Sequence, residues 1–177
     1  HRGRIDLLER HLHADPGLLR RTFAHAEMFP REIGCHENPW RAFHGTPLGG
    51  ATLLHLCIDY GELEIAQWLI ARGMDVNVRA AVDGDGFGGH TPIFSAVVSY
   101  WYYLRSKYAG PPERDEFAEL LVARGADLTV RASLRTKVHS DIVHEYRDVT
   151  PLAWGEQFHD RPLVSVPAMR LLADSLR

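Results

Sequence analysis

The sequence lacks the features that mark membrane proteins, secreted precursors and nucleic-acid-binding proteins. No apolar run approaches the roughly 18 to 20 residues that a membrane-spanning helix needs, and the first residues carry no apolar signal-peptide core. The formal net charge is only −3, so the chain has neither a basic field nor an acidic tail. We therefore expect no membrane partner and no nucleic-acid partner.

Cysteine is also scarce. Only Cys35 and Cys57 occur, which is too few for a disulfide framework, and Cys57 falls at a small, apolar position of a predicted helix, where a buried thiol fits. Of the 177 residues, 45% are apolar, enough to bury the core of one elongated domain. We expect that domain to work in a reducing compartment, namely a bacterial cytoplasm.

The usual catalytic and cofactor motifs are missing. The chain has no G-x-S-x-G, no phosphate-binding lysine loop and no H-E-x-x-H. Residues 83–90 spell G-x-G-x-x-G and begin like a calcium loop, but they lie in a connecting segment, and Phe94 stands where calcium needs a bidentate glutamate. The sequence therefore predicts no enzyme, no cofactor and no bound metal.

What the sequence does contain is a repeated phrase. Residues 71–80, ARGMDVNVRA, return as ARGADLTVRA at residues 123–132. Each copy closes an amphipathic helix, predicted over 62–72 and 115–124, and each contains a glycine suited to the left-handed position that ends a helix. One supersecondary unit has therefore been used at least twice, which indicates a repeat protein.

The same unit also has a recurrent start. Thr52, Thr91 and Thr150 each precede an apolar run, and proline follows the last two. Threonine caps helices, and proline is favoured at the first helical position. Each unit is therefore a capped short helix, a reversal, a longer helix, a glycine stop and an extended connection.

These segments resemble ankyrin repeats, whose signature is T-P-L-H-x-A followed by a second helix and a G-A-D phrase. The resemblance implies an all-α, helix-turn-helix solenoid of three to four repeats with β-hairpin fingers, forming a single domain over 1–177. We expect a degenerate first repeat plus loop at 1–47, repeats at 48–86 and 87–146, the latter with insertions, and a capping repeat at 147–177. The resemblance gives a structural role to Thr52, His55, Gly73, Thr91, Gly125 and Thr150, with the His55 imidazole tying adjacent units together.

Departures from the ordinary spacing predict local elaborations. Both hairpin fingers are longer than usual, and in the second the β-prone runs 128–134 and 138–146 flank a turn at 135–137. These runs predict a two-stranded ribbon, and the alternative is a packed loop that only protects the stacked repeats. The aromatic segment 99–108 is expected to lengthen the first helix of the second unit by two turns. Residues 3–15 are predicted to form the second helix of the degenerate first repeat. Asp15 and Pro16 then provide the N-cap and first position of a further helix that is predicted to run to about Met28.

The ankyrin resemblance implies a non-catalytic protein-binding module, a rigid scaffold that presents its concave face and fingers to a protein partner, with no small-molecule substrate. Phe87 is the first residue to test, provided that it is exposed at the finger tip. For the aromatic insertion, packing of its side chains on the enlarged finger or on the N-terminal loop is favoured over partner contact. The candidate contacts are Arg79, Phe87, Tyr100, Trp101, Tyr103, Arg131, Arg135 and Tyr146.

Two other functions stay open. One is a metal-dependent or hydrolytic site in the histidine-rich N-terminal loop, as a zinc site of Cys35, His36 and His44 or as a catalytic set assembled from distant loops. The residues of that catalytic set would be His36, Glu37, His44, Asp85 and His90. The other function is a purely structural role, as one domain of a longer polypeptide or as a self-associating stack.

Overall fold

The computed structural model describes residues 4–28, 45–47, 49–137 and 142–177. Helices dominate these residues, and none of the described helices has the length and apolarity needed to cross a membrane. A two-stranded sheet accompanies them, so the all-α class is an incomplete description. The helices are α1 Ile5–Ala14, α2 His25–Met28, α3 Leu53–Tyr60, α4 Leu63–Ala71, α5 Pro92–Val97, α6 Tyr100–Ala109, α7 Glu116–Ala123, α8 Pro151–Gln157 and α9 Val166–Ser175, with 3-10 turns at Pro16–Leu19 and Arg161–Leu163; the strands are β1 Ala132–Thr136 and β2 His144–Val149.

Three helix pairs repeat along the chain. The first helix of each pair contacts the first helix of the next, in the order α3, α5, α8, and the second helices follow the order α4, α7, α9. Within each unit the two helices also pack on each other. Residues 52–73 and 91–125 therefore both contain the helix pair that their sequences predict.

The core lies between and within these pairs. Every residue of α5 is buried, as expected for a helix with neighbours on all sides. Because each unit removes its neighbour's apolar surface from water, every interface between neighbouring units contributes to the hydrophobic stabilisation of the fold. The completely buried apolar side chains include Leu54, Ile93 and Trp154 of the first helices and Leu69 and Leu172 of the second helices.

The second helices of the first two units end in the same way. Gly73 and Gly125 follow α4 and α7 with φ angles of +90° and +83°. The next backbone N–H then reaches back to the helix, from Met74 to the Leu69 carbonyl and from Ala126 to the Leu121 carbonyl, each at 3.0 Å. The repeated phrase therefore encodes a left-handed helix stop that L side chains adopt at a cost.

The first helix of the second unit is shorter than predicted. Instead of running on for two more turns, α5 ends at Val97, and Val98 is extended and pairs with Val164. The Ser99 hydroxyl then accepts a hydrogen bond from the Tyr102 N–H at 3.2 Å, which starts the separate helix α6. The prediction of one long helix was wrong because a β-branched residue and a good N-cap sit together at the break.

The N-terminal region also differs from its prediction in part. Helix α1 lies where the sequence predicts a second helix. The helix predicted from Asp15 to about Met28 is instead a 3-10 turn, a bridge and the short helix α2. Asp15 accepts a hydrogen bond from the Gly17 N–H, as predicted for a cap, but Phe23 is diverted into backbone pairing with Ala51. A tertiary contact therefore overrides the local helical tendency.

The predicted two-stranded ribbon is present but displaced along the chain. Strands β1 and β2 are antiparallel, with Leu134 opposite Tyr146 and Thr136 opposite His144. The sequence predicts Arg135 and Thr136 in the turn, whereas both lie in β1. Alternation of buried and half-buried residues along β1 explains the shift, since its buried face covers the apolar core.

Candidate binding surface

The two fingers lie side by side. The first finger, residues 74–90, folds back on itself through pairing of Val82 with Gly88. The second finger, residues 126–149, contains β1 and β2, and its residues 138–141 lie outside the described residues. The Gly88 N–H donates to the Ser133 carbonyl at 2.7 Å, which joins the fingers. Backbone hydrogen bonds thus fix the relative positions of the predicted finger residues before any partner arrives.

Phe87 does not meet the condition of exposure on which its contact role depends. It is only 5% exposed, and the guanidinium groups of Arg135 and Arg147 lie over its ring, 4.6 and 4.4 Å from the centroid. Cation–π contacts of this kind hold the ring in place. Contact with a partner through Phe87 would require the finger to open.

Arg135 is bound within the fingers. Its side chain is 15% exposed, and it pairs with Asp83 at 2.7 Å and with Asp85 at 2.9 Å. Asp83 also accepts hydrogen bonds from the Asp85 and Phe87 backbone N–H groups, closing the tight turn at the tip. The two aspartates that resemble the start of a calcium loop are therefore engaged by an arginine from the other finger.

Arg79 and Arg131 remain at the surface of the fingers. Arg79 donates to the Arg131 carbonyl at 2.6 Å, and Arg131 pairs with Asp148 at 2.9 Å through side chains that are 57% and 74% exposed. Exposed pairs of this type add little stability. Arg79 therefore joins the first finger to the second, Arg131 forms a contact within the second finger, and both leave charge accessible.

Tyr146 is buried rather than exposed to a protein partner. It is 7% exposed, and its hydroxyl accepts a hydrogen bond from the His159 backbone N–H at 3.0 Å. Its ring meets Trp154 edge-on at 4.8 Å and stacks on Phe158 at 5.8 Å. Burial raises the pKa of Tyr146. This aromatic cluster anchors β2 to α8.

The aromatic helix α6 divides into packed and exposed residues. Tyr102 is buried, and a side chain at Gly61 would overlap the Trp101 ring, so Trp101 lies flat against the end of α3. Tyr100 and Tyr103 stack on each other at 5.8 Å and are half-buried. Trp101 therefore packs on α3, while residues 29–44 of the N-terminal loop, which was one of the two expected packing sites, lie outside the described residues.

Tyr108 is an exposed aromatic residue that is not among the contacts predicted from the sequence. It is 76% exposed at the end of α6, and the Lys107 ammonium lies 5.4 Å from its ring centroid. Its exposure could have been anticipated, because it falls in the last turn of the insertion just before Gly110. Together with Tyr100 and Tyr103 it forms what we call the α6 aromatic surface.

One face of the first helices is covered by the chain itself. Thr46 is 1% exposed, and its hydroxyl lies 2.8 Å from the Ser95 hydroxyl of α5 and 3.5 Å from the Asp59 carboxylate of α3. Burial raises the pKa of Asp59 well above its ordinary value, although the Thr46 hydrogen bond opposes this shift. Residues 45–47 therefore occupy part of the surface that the ankyrin resemblance offers to a partner.

A comparison with protein families bears on the first complete unit. Residues 49–81 match the ankyrin repeat family model. The match covers α3, α4 and the start of the first finger. No curated protein sequence matches the chain. Ankyrin repeats generally mediate protein–protein interactions and are typically non-catalytic, so the matched repeat supports an ankyrin-repeat protein with a protein partner.

His55 links the matched repeat to the next unit. Burial lowers the pKa of His55 to about 4, although a hydrogen bond to the His90 carbonyl raises it. The neutral ring accepts from the Thr52 hydroxyl at 2.9 Å through Nδ1 and donates to the His90 carbonyl at 3.2 Å through Nε2. The hydrogen bond at Nδ1 therefore lies within the first unit, and the hydrogen bond at Nε2 joins the first unit to the next.

The other two capping threonines differ from each other. The Thr150 hydroxyl accepts a hydrogen bond from the Ala153 N–H at 3.2 Å and caps α8. Thr91 sits at the same position before α5, but its buried hydroxyl has no hydrogen-bond partner among the described residues. Residue type alone therefore does not reveal which threonine makes a capping bond.

The proposed metal and catalytic residues fall mostly outside the described part of the chain. Cys35, His36, Glu37 and His44 all lie outside the described residues. Across residues 4–28, 45–47, 49–137 and 142–177, no group of three or more histidine, cysteine, aspartate or glutamate side chains could hold a metal. Cys57 is buried with a free thiol, and burial raises its pKa to about 12, so it is not a reactive nucleophile.

Proposed function

We propose that this chain is a non-catalytic protein-binding module, a solenoid of three to four ankyrin repeats in a single domain with enlarged fingers. The boundaries that we propose are 1–47, 48–86, 87–146 and 147–177. The observation that carries the proposal is the series of three helix pairs, α3–α4, α5–α7 and α8–α9, in which each pair packs on the next. Its continuous core makes the scaffold stiff, so binding requires little ordering of the backbone.

The α6 aromatic surface is the contact region that the geometry favours. Helix α6 is inserted between the two helices of its unit, and it carries two half-buried tyrosines and the exposed Tyr108 close to the Lys107 ammonium. Tyrosine is frequent at protein interfaces because it supplies a large apolar contact and a hydroxyl at low entropic cost. We propose Tyr100, Tyr103 and Tyr108 as the central contacts.

Arg79 and Arg131 form a second proposed contact region on the fingers. Their guanidinium groups are accessible, and arginine is enriched at interfaces. Phe87, Arg135 and Tyr146 act instead by holding the fingers in position, since all three side chains are largely buried. Trp101 fixes α6 on the preceding unit.

The test measures partner binding after the α6 aromatic surface is altered. Proteins captured by the tagged chain in its native host are identified and purified, and the affinity of the main partner is measured for wild type and for Tyr103→Ser combined with Tyr108→Ser. We expect the double variant to bind at least about tenfold more weakly, because interface tyrosines are frequent hot spots. Val166→Ser, which alters an exposed residue of α9, is the matched control.

Two results would contradict the proposal at different levels. Equal affinity of the double variant and wild type would remove the α6 aromatic surface from the contact map. A chain that captures no protein specifically would overturn protein binding itself. Melting curves of both variants check that the stack stays folded.

A further inference from the structure

Backbone pairing runs from the first finger into the second and ends at β2. Gly88 of the first finger pairs with Ser133 of β1, and β1 pairs with β2. Among the described residues no further strand lies on the other side of β2. A strand with one open side offers its backbone donors and acceptors to another extended chain.

The backbone groups of Glu145 point to this open side. The Ser133 carbonyl accepts from the Gly88 N–H, so the alternation of a strand turns Leu134 towards β2. Leu134 is paired with Tyr146, and the N–H and carbonyl of the neighbouring Glu145 are therefore directed away from β1. Outside the β1–β2 ladder, Glu145 forms no backbone hydrogen bond with any described residue.

Arg147 continues the same open side. Its guanidinium pairs with the Glu145 carboxylate at 2.9 Å, so both side chains lie on one face of β2 and the alternation holds through Arg147. The N–H and carbonyl of Arg147 therefore point the same way as those of Glu145. Regular geometry ends at the next residue, Asp148, which has a φ of +52°. We call the outward backbone groups of Glu145 and Arg147 the β2 edge.

The side chains beside the β2 edge are accessible. Those of Glu145 and Arg147 are 45% and 62% exposed, and Ile142 and Val143 just before the strand are 67% and 45% exposed. The buried side of β2 is the opposite one, where Tyr146 packs on α8. An approaching strand therefore meets exposed groups and does not have to open the core.

The sequence around Tyr146 is complementary to its own reverse. When two copies of β2 lie antiparallel and centred on Tyr146, Glu145 of one copy faces Arg147 of the other, and the two-fold symmetry makes this pair twice. Opposite charges directly across a strand pair are favourable, and like charges are unfavourable. Residues 143–149 read VHEYRDV, so positions equally distant from Tyr146 carry Glu145 and Arg147, His144 and Asp148, or two valines.

The charges also select this register over its neighbours. A shift of two residues in one direction sets Glu145 against Glu145, and a shift in the other direction sets Arg147 against Arg147. A shift of one residue brings outward backbone groups against inward ones, which leaves hydrogen bonds unmade. In the centred register, each facing Glu145 and Arg147 exchange both of their backbone hydrogen bonds.

We propose that the β2 edge is a dimerisation surface, on which β2 of a second copy of this chain adds as an antiparallel strand centred on Tyr146. The finger strands of the two copies then form one continuous sheet across the two-fold axis. The α6 aromatic surface takes no part in this contact, so the dimer and the proposed protein binding stand or fall separately.

Protection of the edge is the competing interpretation. Charged side chains and irregular residues at a sheet edge also serve to prevent edge pairing. The irregularity at Asp148 limits regular pairing to residues 145–147, and so short a contact buries less than the roughly 1,600 Å² of a standard interface. We therefore expect a weak dimer that is populated only at high micromolar concentrations. A chain that stays monomeric is one defined outcome of the test.

The test reverses the charge on each side of the pair. Glu145→Arg alone sets arginine against arginine, and Arg147→Glu alone sets glutamate against glutamate. We expect each variant to dimerise at least about tenfold more weakly than wild type, in sedimentation equilibrium at up to about 1 mM chain. A mixture of the two variants restores both unlike pairs and should associate about as well as wild type. Glu64→Arg, at an exposed position of α4, is the matched control and should leave the dimer unchanged.

Amide hydrogen exchange tests the backbone contact itself. Exchange of the Glu145 and Arg147 amides should slow as the wild-type concentration rises, and it should not slow in either charge variant alone. Glu145→Pro removes the outward N–H, so it should abolish the dimer while the Tyr146 amide in the ladder stays protected. Arg147 also lies over the Phe87 ring, so the two Glu145 variants carry the test if Arg147→Glu unfolds.

Four results would overturn the proposal. The first is a wild-type chain that stays monomeric at every concentration, and the second is a dimer in which the Glu145 and Arg147 amides exchange as fast as in the monomer. The third is a mixture of folded charge variants that does not associate. The fourth is a dimer that survives Glu145→Arg but is lost in Tyr103→Ser combined with Tyr108→Ser, since self-association would then occur through α6.

Discussion

The first and second units begin and end alike but differ in the middle. Both start at a buried threonine and stop at a glycine of positive φ, yet only two residues separate α3 from α4, whereas residues 98–115 separate α5 from α7. The stacking of the helix pairs tolerates this difference because it constrains only the helix faces that contact neighbouring units. A helix can therefore be inserted between the two helices of a unit when it buries its own apolar surface.

The inserted helix depends on the short turn of the first unit. Gly61 ends α3 with a φ of +74°, and the Trp101 ring of α6 lies where a Cβ at Gly61 would sit. Helix α6, which is the insertion in the second unit, thus packs on the short turn between α3 and α4 of the first unit. Substitutions at this contact test whether the two units depend on each other.

The largest effect is expected for Gly61→Ala. The new Cβ would overlap the Trp101 ring, in a backbone conformation that alanine disfavours. We expect a loss of about 3 kcal/mol of unfolding free energy, combining left-handed strain with overpacking, measured by urea denaturation.

Gly73→Ala is the matched control for Gly61→Ala. Gly73 has a φ of +90°, but no atom lies within 4 Å of the position that a Cβ would occupy, so only the backbone strain of roughly 1 kcal/mol should appear. Adding Trp101→Ala to Gly61→Ala should relieve the steric part of the loss. Equal losses for the two glycine variants would show that Trp101 does not pack on this turn.

A second contrast concerns one position of the two first helices. Thr52 and Thr91 are 39 residues apart, and so are Asp59 and Val98, so a carboxyl group in the first unit corresponds to an apolar side chain in the second. Asp59 is 2% exposed, and one of its carboxylate oxygens has no hydrogen-bond partner among the described residues. The first unit therefore carries an ionisable group where the second carries none.

Asp59→Asn should stabilise the chain at neutral pH. Because burial raises the folded-state pKa of Asp59, its protonated form is favoured in the fold, and stability is lost as pH rises above the unfolded value of about 3.9 towards the folded pKa. We expect the variant to be more stable by about 2 kcal/mol at pH 8, and equal to wild type near pH 3, as measured by urea denaturation at each pH.

The pH dependence isolates Asp59 from the buried histidines. His55 and His90 have lowered folded-state pKa values, so their contribution is present above the unfolded value of about 6.5 and is lost as pH falls. These losses affect wild type and variant equally, and the difference between their unfolding free energies reports Asp59 alone. A difference that grows towards low pH would contradict the assignment.

The sequence predicted the recurrent parts of the fold and missed what depends on tertiary contacts. Helices α4 and α7 and their glycine stops follow from period and helix-ending signals within one segment. The break at Val98 depends on pairing with Val164, which is 66 residues away, and Phe23 is similarly diverted by Ala51. Local sequence patterns do not indicate which distant residues will pair in this way.

The candidate contacts were only partly predictable for the same reason. Residue type nominated Phe87 and Tyr146, but their burial is set by Arg147 and Trp154 from later segments. Tyr108 escaped notice because aromatic density, rather than position in the last helical turn, guided the choice. A cavity beside the first finger could not be predicted from the sequence, since its walls come from four segments that are distant along the chain.

The smallest expected effect concerns the two N-caps of the second unit. The Ser99 hydroxyl accepts from the Tyr102 N–H at 3.2 Å and is 3% exposed, so Ser99→Ala removes a capping bond and should cost about 1 kcal/mol. Thr91→Val at the start of α5 is the control, because the Thr91 hydroxyl has no partner among the described residues and its loss should be neutral or slightly stabilising. Hydrogen exchange should show faster opening of the first turn of α6 in Ser99→Ala and unchanged protection of α5 in Thr91→Val. If instead Thr91→Val is the costlier change, α5 and α6 are held as one cooperative helix and the break at Val98 does not separate them.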